Sequence, residues 1–367
     1  MSWRSHLITA SAVALAGCDL VTLSTATGEH VTYHWDPSEQ HLCGGTVPYA
    51  DRVVEAMLRH YGYSDAPGGG PTIEYFWSVS SIEADLCWTL SHACTLPTPS
   101  GRARWSTSIF TTVPIHPHEL AHAAIQFRHH GIPSFLGEGM ATQWGDSALA
   151  GPQREPRPLA LDEAEIRDRI DRVLTDEADY AAAYAWWRAL EVRFGGAKMG
   201  DLAAALDFRS SSGDVDAALR ATLGITLAES VALAQAQALT YDDSVDCRVE
   251  GLEEFVWSGE DLRLDRGGAA CSDTDIVNWN ARVAWPFVLE VPSWTEVEIQ
   301  IDEAGPSQGL HLVECRGQPD PTPNILVGGN VSHTRALEGR YFGYLLGDLS
   351  DDGAVTLPSV TLRASEP

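Results

Sequence analysis

Two histidines, His118 and His122, are four residues apart in this chain, a spacing typical of side chains that act together on one helix. Residues four apart project from the same face of an α-helix, one turn above the other, so both imidazole rings can reach one metal ion. Pro117 suits the first turn of such a helix, and Gly131 and Pro133 are residues that would end it. The sequence therefore predicts a helix that presents two imidazoles side by side.

Glu119 follows the first histidine and completes the pattern HELAH. A helix of this kind supplies two neutral imidazole ligands to zinc, and its glutamate stands where it can take a proton from water at the metal. Zinc lowers the pKa of bound water to about 7, which makes hydroxide available at neutral pH. The alternative is an ordinary amphipathic helix in which the pattern arose by chance, and the five letters alone leave it open.

A catalytic zinc site needs a third protein ligand and an open fourth position. The segment PSFLGEGMATQW is typical of a second short helix, and Glu138 in it is our candidate for the third ligand. Thr142 shares the helix face of Glu138 and is either a partner of that ligand or a packed core threonine. His129 and His130 are rival ligands, but neighbouring helical residues point about 100° apart, and histidines near a helix C-terminus commonly interact with its dipole.

HELAH followed by IPSFLGEGMATQW resembles the gluzincin zinc metallopeptidases of the peptidase MA-like superfamily, over roughly residues 30–240. The resemblance implies one Zn²⁺ per chain bound by His118, His122 and Glu138, with Glu119 as the general base. Fifteen residues separate His122 from Glu138, fewer than in thermolysin-like enzymes, and no GxMEN-like stretch is present to hold a peptide amino terminus. These departures favour an endopeptidase over an exopeptidase.

Hydrolysis of a peptide bond also requires groups that stabilise the oxyanion and align the substrate. Tyr180 and Tyr184, one helical turn apart, are the candidates for a catalytic tyrosine, with packing in an alanine-rich helix as the alternative. Residues 104–112, RWSTSIFTT, are predicted to form a strand whose open edge either binds an extended peptide or is an ordinary edge.

The amino terminus has the layout of an export signal. Residues 1–17 carry Arg4 and an apolar run from Leu7 to Leu15, and the sequence LAGC ends at Cys18. LAGC resembles the bacterial lipobox, which implies cleavage before Cys18 and attachment of lipid to that residue. An ordinary signal peptide and a short buried helix are the alternatives, because the run is too short to cross a bilayer. The lipoprotein interpretation predicts an exported protein of the bacterial cell envelope, held at a membrane by its lipid.

Six further cysteines are an even number, which in an exported chain predicts up to three disulfides. They are Cys43, Cys87, Cys94, Cys247, Cys271 and Cys315. Cys87 and Cys94 are the simplest pair to propose, since they close a short loop before the metal-binding helix. The other four allow three pairings, among which the sequence does not choose.

The pattern of the whole chain predicts an α+β protein with two domains after the signal. Strand-like runs and one helix precede the HExxH helix, and an alanine-rich helical stretch covers about residues 160–240. Residues 18–245 are therefore predicted to form a zincin-like metallopeptidase domain. Over residues 246–367, short alternating segments between Gly, Pro and Asp clusters predict an all-β, sandwich-like accessory domain.

Composition narrows the functions that this chain can have. With 44% hydrophobic and 20% charged residues it can bury a large core, and its net charge of −27 argues against binding to nucleic acid. The resulting hypothesis is a zinc-dependent peptidase of the bacterial envelope, with a peptide or protein as substrate. The alternatives are a non-catalytic lipoprotein that uses a peptidase-like fold for binding or structure, and a zinc amidase that acts on wall peptides.

Overall fold

The structure is a computed structural model that describes residues 23–63, 72–78, 93–100, 104–126, 131–145, 159–172, 174, 177–237, 245–279, 282–302, 305, 308–315, 325–328 and 332–365. Its first sheet consists of β1 (Ser24–Thr27), β2 (Val31–Trp35), β3 (Thr72–Trp77), β4 (Ala93–Ser100) and β5 (Arg104–Thr111). The strands lie in the order β1-β2-β3-β5-β4. β2, β3 and β5 run parallel, whereas β1 and β4 are antiparallel to their neighbours.

One face of this sheet is buried. Side chains on it hold the segment that leads to the HExxH helix. Tyr33, Tyr75 and Ile109 lie side by side on β2, β3 and β5 and are fully buried. The hydroxyl of Tyr33 donates to the carbonyl of Pro114 at 2.7 Å, and that of Tyr75 donates to the carbonyl of Val113 at 3.0 Å. Two buried tyrosines therefore hold the turn that follows β5 against the sheet.

The helices of the described part are α1 (Thr46–His60), α2 (Pro117–Gln126), α3 (Ser134–Gly145), α4 (Glu163–Ile170), α5 (Glu177–Phe194), α6 (Gly196–Ala204), α7 (Ser212–Thr222) and α8 (Leu227–Ala236), with a 3-10 helix at Val245–Arg248. Two of these helices, α1 and α2, contact this sheet, and the others pack mainly on helices. α2 packs against α1 and α3, and α3 packs against α5. α4, α7 and α8 begin with capping boxes, which satisfy backbone N–H groups at the helix start. These last helices agree with the predicted helical stretch.

In the C-terminal region, meaning the described residues that follow the 3-10 helix, the regular secondary structure is a nine-stranded sheet, which is compatible with the predicted all-β domain. Its strands are β6 (Glu253–Val256), β7 (Leu262–Leu264), β8 (Val277–Trp279), β9 (Arg282–Asp302), β10 (Gly309–Glu314), β11 (Ile325–Gly328), β12 (Ser332–Leu349), β13 (Val355–Thr356) and β14 (Ser359–Ala364). The main order is β11-β10-β12-β9-β14-β7, with β13 paired to β12 and with β6 and β8 paired to β9. The division of these strands into a two-layered sandwich stays a prediction.

The long strands β9 and β12 have buried side chains on both faces of this sheet. On one face, Phe287 and Leu345 belong to the core of the C-terminal region itself. On the other face, Phe342 and Tyr344 belong to the core that also contains α1 and the first sheet. Because side chains alternate along a strand, one strand pair contributes to two cores. The C-terminal sheet is therefore packed against the rest of the chain.

The segment before α1 is fastened to the C-terminal region. Cys43 forms a disulfide with Cys271. The side-chain oxygen of Asn278, a buried residue of β8, accepts from the backbone N–H of Cys43 at 2.7 Å and from the hydroxyl of Thr46 at 2.8 Å. The start of α1 thus depends on residues that lie more than two hundred positions later.

Two disulfides select one of the three pairings that the sequence allowed. They join Cys43 to Cys271 and Cys247 to Cys315. Cys94 is also disulfide-bonded. Cys87 and Cys18 lie outside the described residues, so the Cys87–Cys94 pair and the lipidation of Cys18 stay predictions.

No single helix among the described residues is long and apolar enough to cross a membrane. α7 and α8, which meet at an angle of 79°, satisfy the requirement only as a pair, by length and composition.

Candidate metal centre

The helices α2 and α3 bring three possible ligand atoms together. The Nε2 atoms of His118 and His122 are 3.2 Å apart. Oε2 of Glu138 lies 3.2 Å from Nε2 of His118 and 3.4 Å from Nε2 of His122. The three atoms form a nearly equilateral triangle. Their side chains are 16–21% exposed, so solvent reaches them.

The size of this triangle fits zinc. A tetrahedral zinc ion with bonds of about 2.0–2.1 Å keeps its ligand atoms about 3.3–3.4 Å apart. The sides of the triangle, 3.2, 3.2 and 3.4 Å, agree with that spacing. Two imidazoles and one carboxylate are also a donor set found in catalytic zinc sites, where the fourth position stays open.

The electrostatics of these three residues favour a cation among them. Burial lowers the pKa of His122, but the charge of Glu138 and its hydrogen bond outweigh burial and raise that pKa to about 9. Burial raises the pKa of Glu138, yet His122 and His118 hold it well below its ordinary range. Glu138 therefore favours positive charge at His122, and a metal cation bound there would replace the proton on the ring, because a histidine ligand is neutral.

A second group of possible ligands fits a metal less well. Glu29, His30 and Glu55 offer atoms that lie within 4.8 Å of one another. Nε2 of His30 is 4.0 Å from Oε1 of Glu55, and Glu29 is exposed. Because this separation exceeds the spacing around a tetrahedral zinc ion, we assign no metal to this group.

Small residues on α3 allow the third ligand candidate, Glu138, to approach α2. A Cβ on Gly139 would lie 2.4 Å from the carbonyl oxygen of Ala183 on α5, a distance that no side chain tolerates. A Cβ on Gly137 would lie 3.8 Å from the ring of His122, so the two helices are also in close contact. Glycine at position 139 is thus required for the packing of α3 on α5, and this packing determines where its neighbour Glu138 lies.

Glu119 is buried beside the three ligand candidates and is held by a residue of β4. The hydroxyl of Thr95 donates to Oε2 of Glu119 at 2.5 Å. Burial raises the pKa of Glu119, but the neighbouring histidines, foremost His118 and His122, lower it overall. Glu119 is therefore a carboxylate at neutral pH, the form that a general base requires.

His116 lies directly before α2 and caps it. Its Nδ1 accepts from the backbone N–H of Glu119 at 3.4 Å, and its carbonyl accepts from the backbone N–H of Leu120 at 3.0 Å. Burial lowers the pKa of His116 to about 4, so the ring is neutral and able to accept a hydrogen bond. Sequence reasoning missed this residue, although a polar side chain just before Pro117 is a usual sign of a helix cap.

The edge strand beside the site is β4. The prediction that residues 104–112 offer an open edge is wrong, because β5 pairs with β3 on one side and with β4 on the other. β4 contains Pro97 and Pro99, and proline occurs in sheets mainly on edge strands because it has no N–H to donate. These prolines are the sequence signal for the edge, and through it for Thr95, which sequence reasoning also missed.

The remaining candidates lie near the site or outside the described residues. Tyr180 and Tyr184 are on α5, the helix that packs against α3. Tyr184 is buried and Tyr180 is partly buried against the core, and their catalytic role stays a prediction. Thr142 is buried on α3, which agrees with either of its expected roles. His129 and His130 are outside the described residues.

Comparison with known proteins identifies no family for this chain. No protein-family model matches it, and no curated protein matches it. Among solved structures it is similar to the pre-peptidase C-terminal domain of a collagenase from Bacillus anthracis, with 14% sequence identity. The match covers 32% of this chain and 96% of the collagenase domain, with a TM-score of 0.20. A TM-score of this size does not establish a shared fold.

Proposed function

We propose that this protein is a zinc-dependent peptidase of the bacterial cell envelope and that it acts as an endopeptidase. The observation that supports this most directly is the triangle of His118, His122 and Glu138, with sides of 3.2–3.4 Å. A structural zinc site is normally closed by four protein ligands, whereas the described residues supply three here. A buried carboxylate beside them, Glu119, has a use in hydrolysis and none in a purely structural site.

The residues of the site have separate roles in the proposed hydrolysis of a peptide bond. Zinc, when bound by the three ligands, supplies a Lewis acid that polarises the substrate carbonyl and lowers the pKa of water to about 7. Glu119 takes a proton from the attacking water and delivers it to the nitrogen of the leaving amine. Because its carboxylate is ionised, it can accept that proton directly. Tyr180 and Tyr184 are the candidates that donate a hydrogen bond to the oxyanion.

The edge of β4 supports an extended peptide or protein as the substrate. β4 pairs with β5 on one side, and among the described strands none pairs with its other side. Pro97 and Pro99 supply no N–H, so an extended chain would pair with the carbonyl groups of this edge and with the N–H groups of its other residues. Thr95 of β4 contacts Glu119, so this strand passes next to the general base. A peptide bound along the strand would present an internal bond, as in an endopeptidase.

We further propose that lipid on Cys18 anchors the protein in the envelope. The disulfides Cys43–Cys271 and Cys247–Cys315 support an oxidising compartment outside the cytoplasm. In cells that produce the full chain, we expect the wild type in the membrane fraction and Cys18→Ser in the soluble fraction. Retention of the variant in the membrane fraction would contradict a lipid anchor at this residue.

The main experiment measures zinc content and proteolysis on the same samples of the chain that lacks residues 1–18. We expect about one zinc per chain in the wild type and little zinc in Glu138→Ala. Casein cleavage should be abolished in Glu119→Gln, which keeps the shape of the side chain and all three ligands. Glu260→Gln makes the same chemical change at an exposed glutamate of the C-terminal region and should cleave casein like the wild type.

Each alternative function predicts a different result. Absence of bound zinc after reconstitution would contradict the metallopeptidase assignment and favour the non-catalytic lipoprotein. Zinc binding without casein cleavage, together with Glu119-dependent release of amines from wall peptides, would favour the zinc amidase.

A further inference from the structure

Thr95 of β4 touches the general base directly. Its Oγ1 lies 2.5 Å from Oε2 of Glu119 and 3.3 Å from the backbone carbonyl oxygen of the same residue. A threonine hydroxyl has one proton to donate, and a charged carboxylate at the shorter distance is the stronger acceptor. The hydroxyl of Thr95 therefore donates to the side chain of Glu119.

The position of Thr95 is determined by the sheet. β4 pairs with β5 so that Thr95 lies opposite Ile109, which is fully buried, and Cys94 lies opposite Phe110. Cys94 is also disulfide-bonded. Threonine is branched at Cβ, which restricts rotation about χ1. The hydroxyl is thus a stiff group on a strand that is held by its neighbour and by a disulfide.

Glu119 depends on this contact, because a glutamate side chain has several rotatable bonds that its helix does not restrict. Oε2 accepts the hydrogen bond from Thr95, and within the described part of the chain no hydrogen bond reaches Oε1. We propose that Thr95 is a positioning residue that holds Oε2 of Glu119, so that Oε1 is the oxygen that takes the proton from the attacking water. This inference rests on the proposed peptidase function.

β4 would then align both the substrate and the general base. The substrate backbone pairs with the edge of β4, and Thr95 on the same strand orients Glu119. Removal of the hydroxyl should therefore change the orientation of the base without changing the edge that binds the peptide. Such a change lowers kcat and leaves KM nearly constant.

The first test is steady-state peptide hydrolysis by the zinc-loaded protein, with zinc content measured for each variant. We expect Thr95→Val to lower kcat about 10- to 100-fold with KM within about two-fold of wild type, since small misplacements of reacting groups cost rates of this size. Thr95→Ser keeps the hydroxyl and should restore kcat to within about three-fold of wild type. Thr107→Val makes the same change at a buried threonine of β5 and should leave kcat unchanged.

The second test does not depend on activity. Urea unfolding midpoints are compared for the wild type, Thr95→Val, Glu119→Ala and the double variant. If the hydrogen bond forms, Thr95→Val lowers the midpoint in the wild type but has little effect once Glu119→Ala has removed the acceptor. The two changes are then non-additive. If Thr95→Val does not fold, Thr95→Ala takes its place in both tests.

The outcomes separate this inference from the proposed function. A lower kcat at unchanged zinc content, restored by Thr95→Ser, together with non-additive midpoints supports the inference. Wild-type kcat in Thr95→Val, or additive midpoints, overturns it. If the wild type cleaves no peptide, the proposed function fails by that result, and the midpoints alone decide whether Thr95 holds Glu119.

Discussion

Glu191 on α5 is a buried carboxylate that joins α3, the helix of the third ligand candidate, to α1. Its Oε1 lies 2.8 Å from Nε2 of His60 and accepts from the amide of Gln143 at 2.5 Å. His60 ends α1, and Gln143 lies on α3. We expect Glu191→Gln, which removes the charge and keeps the shape, to weaken this junction and destabilise the fold.

The size of the effect follows from the pKa of Glu191. Burial raises that pKa, but the hydrogen bond and charge of His60, with the charge of Arg248, outweigh burial and lower it from 4.5 to about 2. At about 1.36 kcal/mol per pKa unit, this shift corresponds to about 3 kcal/mol of stability at pH 7. Loss of one partner from a buried charged group costs about 3–5 kcal/mol in other proteins, which agrees.

The pH dependence of this contribution has a definite sign. A carboxylate with a depressed pKa stabilises the folded state above its unfolded pKa, here 4.5, and loses that contribution as the pH falls toward about 2. The wild type should lose this part of its stability over that range, whereas Glu191→Gln has no carboxylate to titrate. The difference in unfolding free energy between the two proteins should therefore shrink as the pH falls.

The assay is urea unfolding between pH 7 and about 2, followed by tryptophan fluorescence. One of the 12 tryptophans, Trp187, lies at this junction, where its indole N–H donates to Oε2 of Glu191 at 3.3 Å. Glu260→Gln, at an exposed position, is the control and should change the unfolding free energy by less than about 0.5 kcal/mol. The reasoning is refuted if Glu191→Gln is as stable as the wild type at pH 7, or if the difference stays constant down to about pH 2.

The metal, the helix contact and the long-range disulfide each permit a further test. Zinc at about 1,000 times its Kd should stabilise the wild type by about 4 kcal/mol and raise its thermal midpoint. An equal rise in Glu138→Ala would contradict its role as a ligand. Gly139→Val should lower zinc content measured by elemental analysis, since its Cβ would lie 2.4 Å from a carbonyl oxygen of α5; unchanged zinc content would count against that packing argument. Replacement of Cys43 and Cys271 by serine should lower the unfolding free energy in urea by about 2–5 kcal/mol, and a loss below about 1 kcal/mol would show that the disulfide adds little to the other contacts.

Local pattern was sufficient to predict the two helices of the site. α2 begins at Pro117, as its sequence predicted, and α3 covers Ser134–Gly145, nearly the range expected from PSFLGEGMATQW. Helical periodicity is a property of the backbone, so the shared face of His118 and His122 follows from their spacing alone. Their role as zinc ligands with Glu138 stays a prediction.

Strand order was less accessible from the sequence. Residues 104–112 alternate in the same way whether their strand is central or at an edge, so the pattern did not reveal that β5 has partners on both sides. The contact of Thr95 with Glu119 joins residues 24 positions apart and arises only because α2 lies against β4.

The amino-acid sequence by itself determined that two imidazoles share one helix face, that Glu119 lies between them in the chain and Glu138 after them, and that enough cysteines exist for three disulfides besides Cys18. Only the tertiary structure decided that the side-chain atoms of His118, His122 and Glu138 lie 3.2–3.4 Å apart and that Cys43 pairs with Cys271 across 228 residues. The physical reason is that helix geometry depends on neighbours along the chain, whereas the docking of helices and sheets depends on the summed packing of residues far apart in sequence.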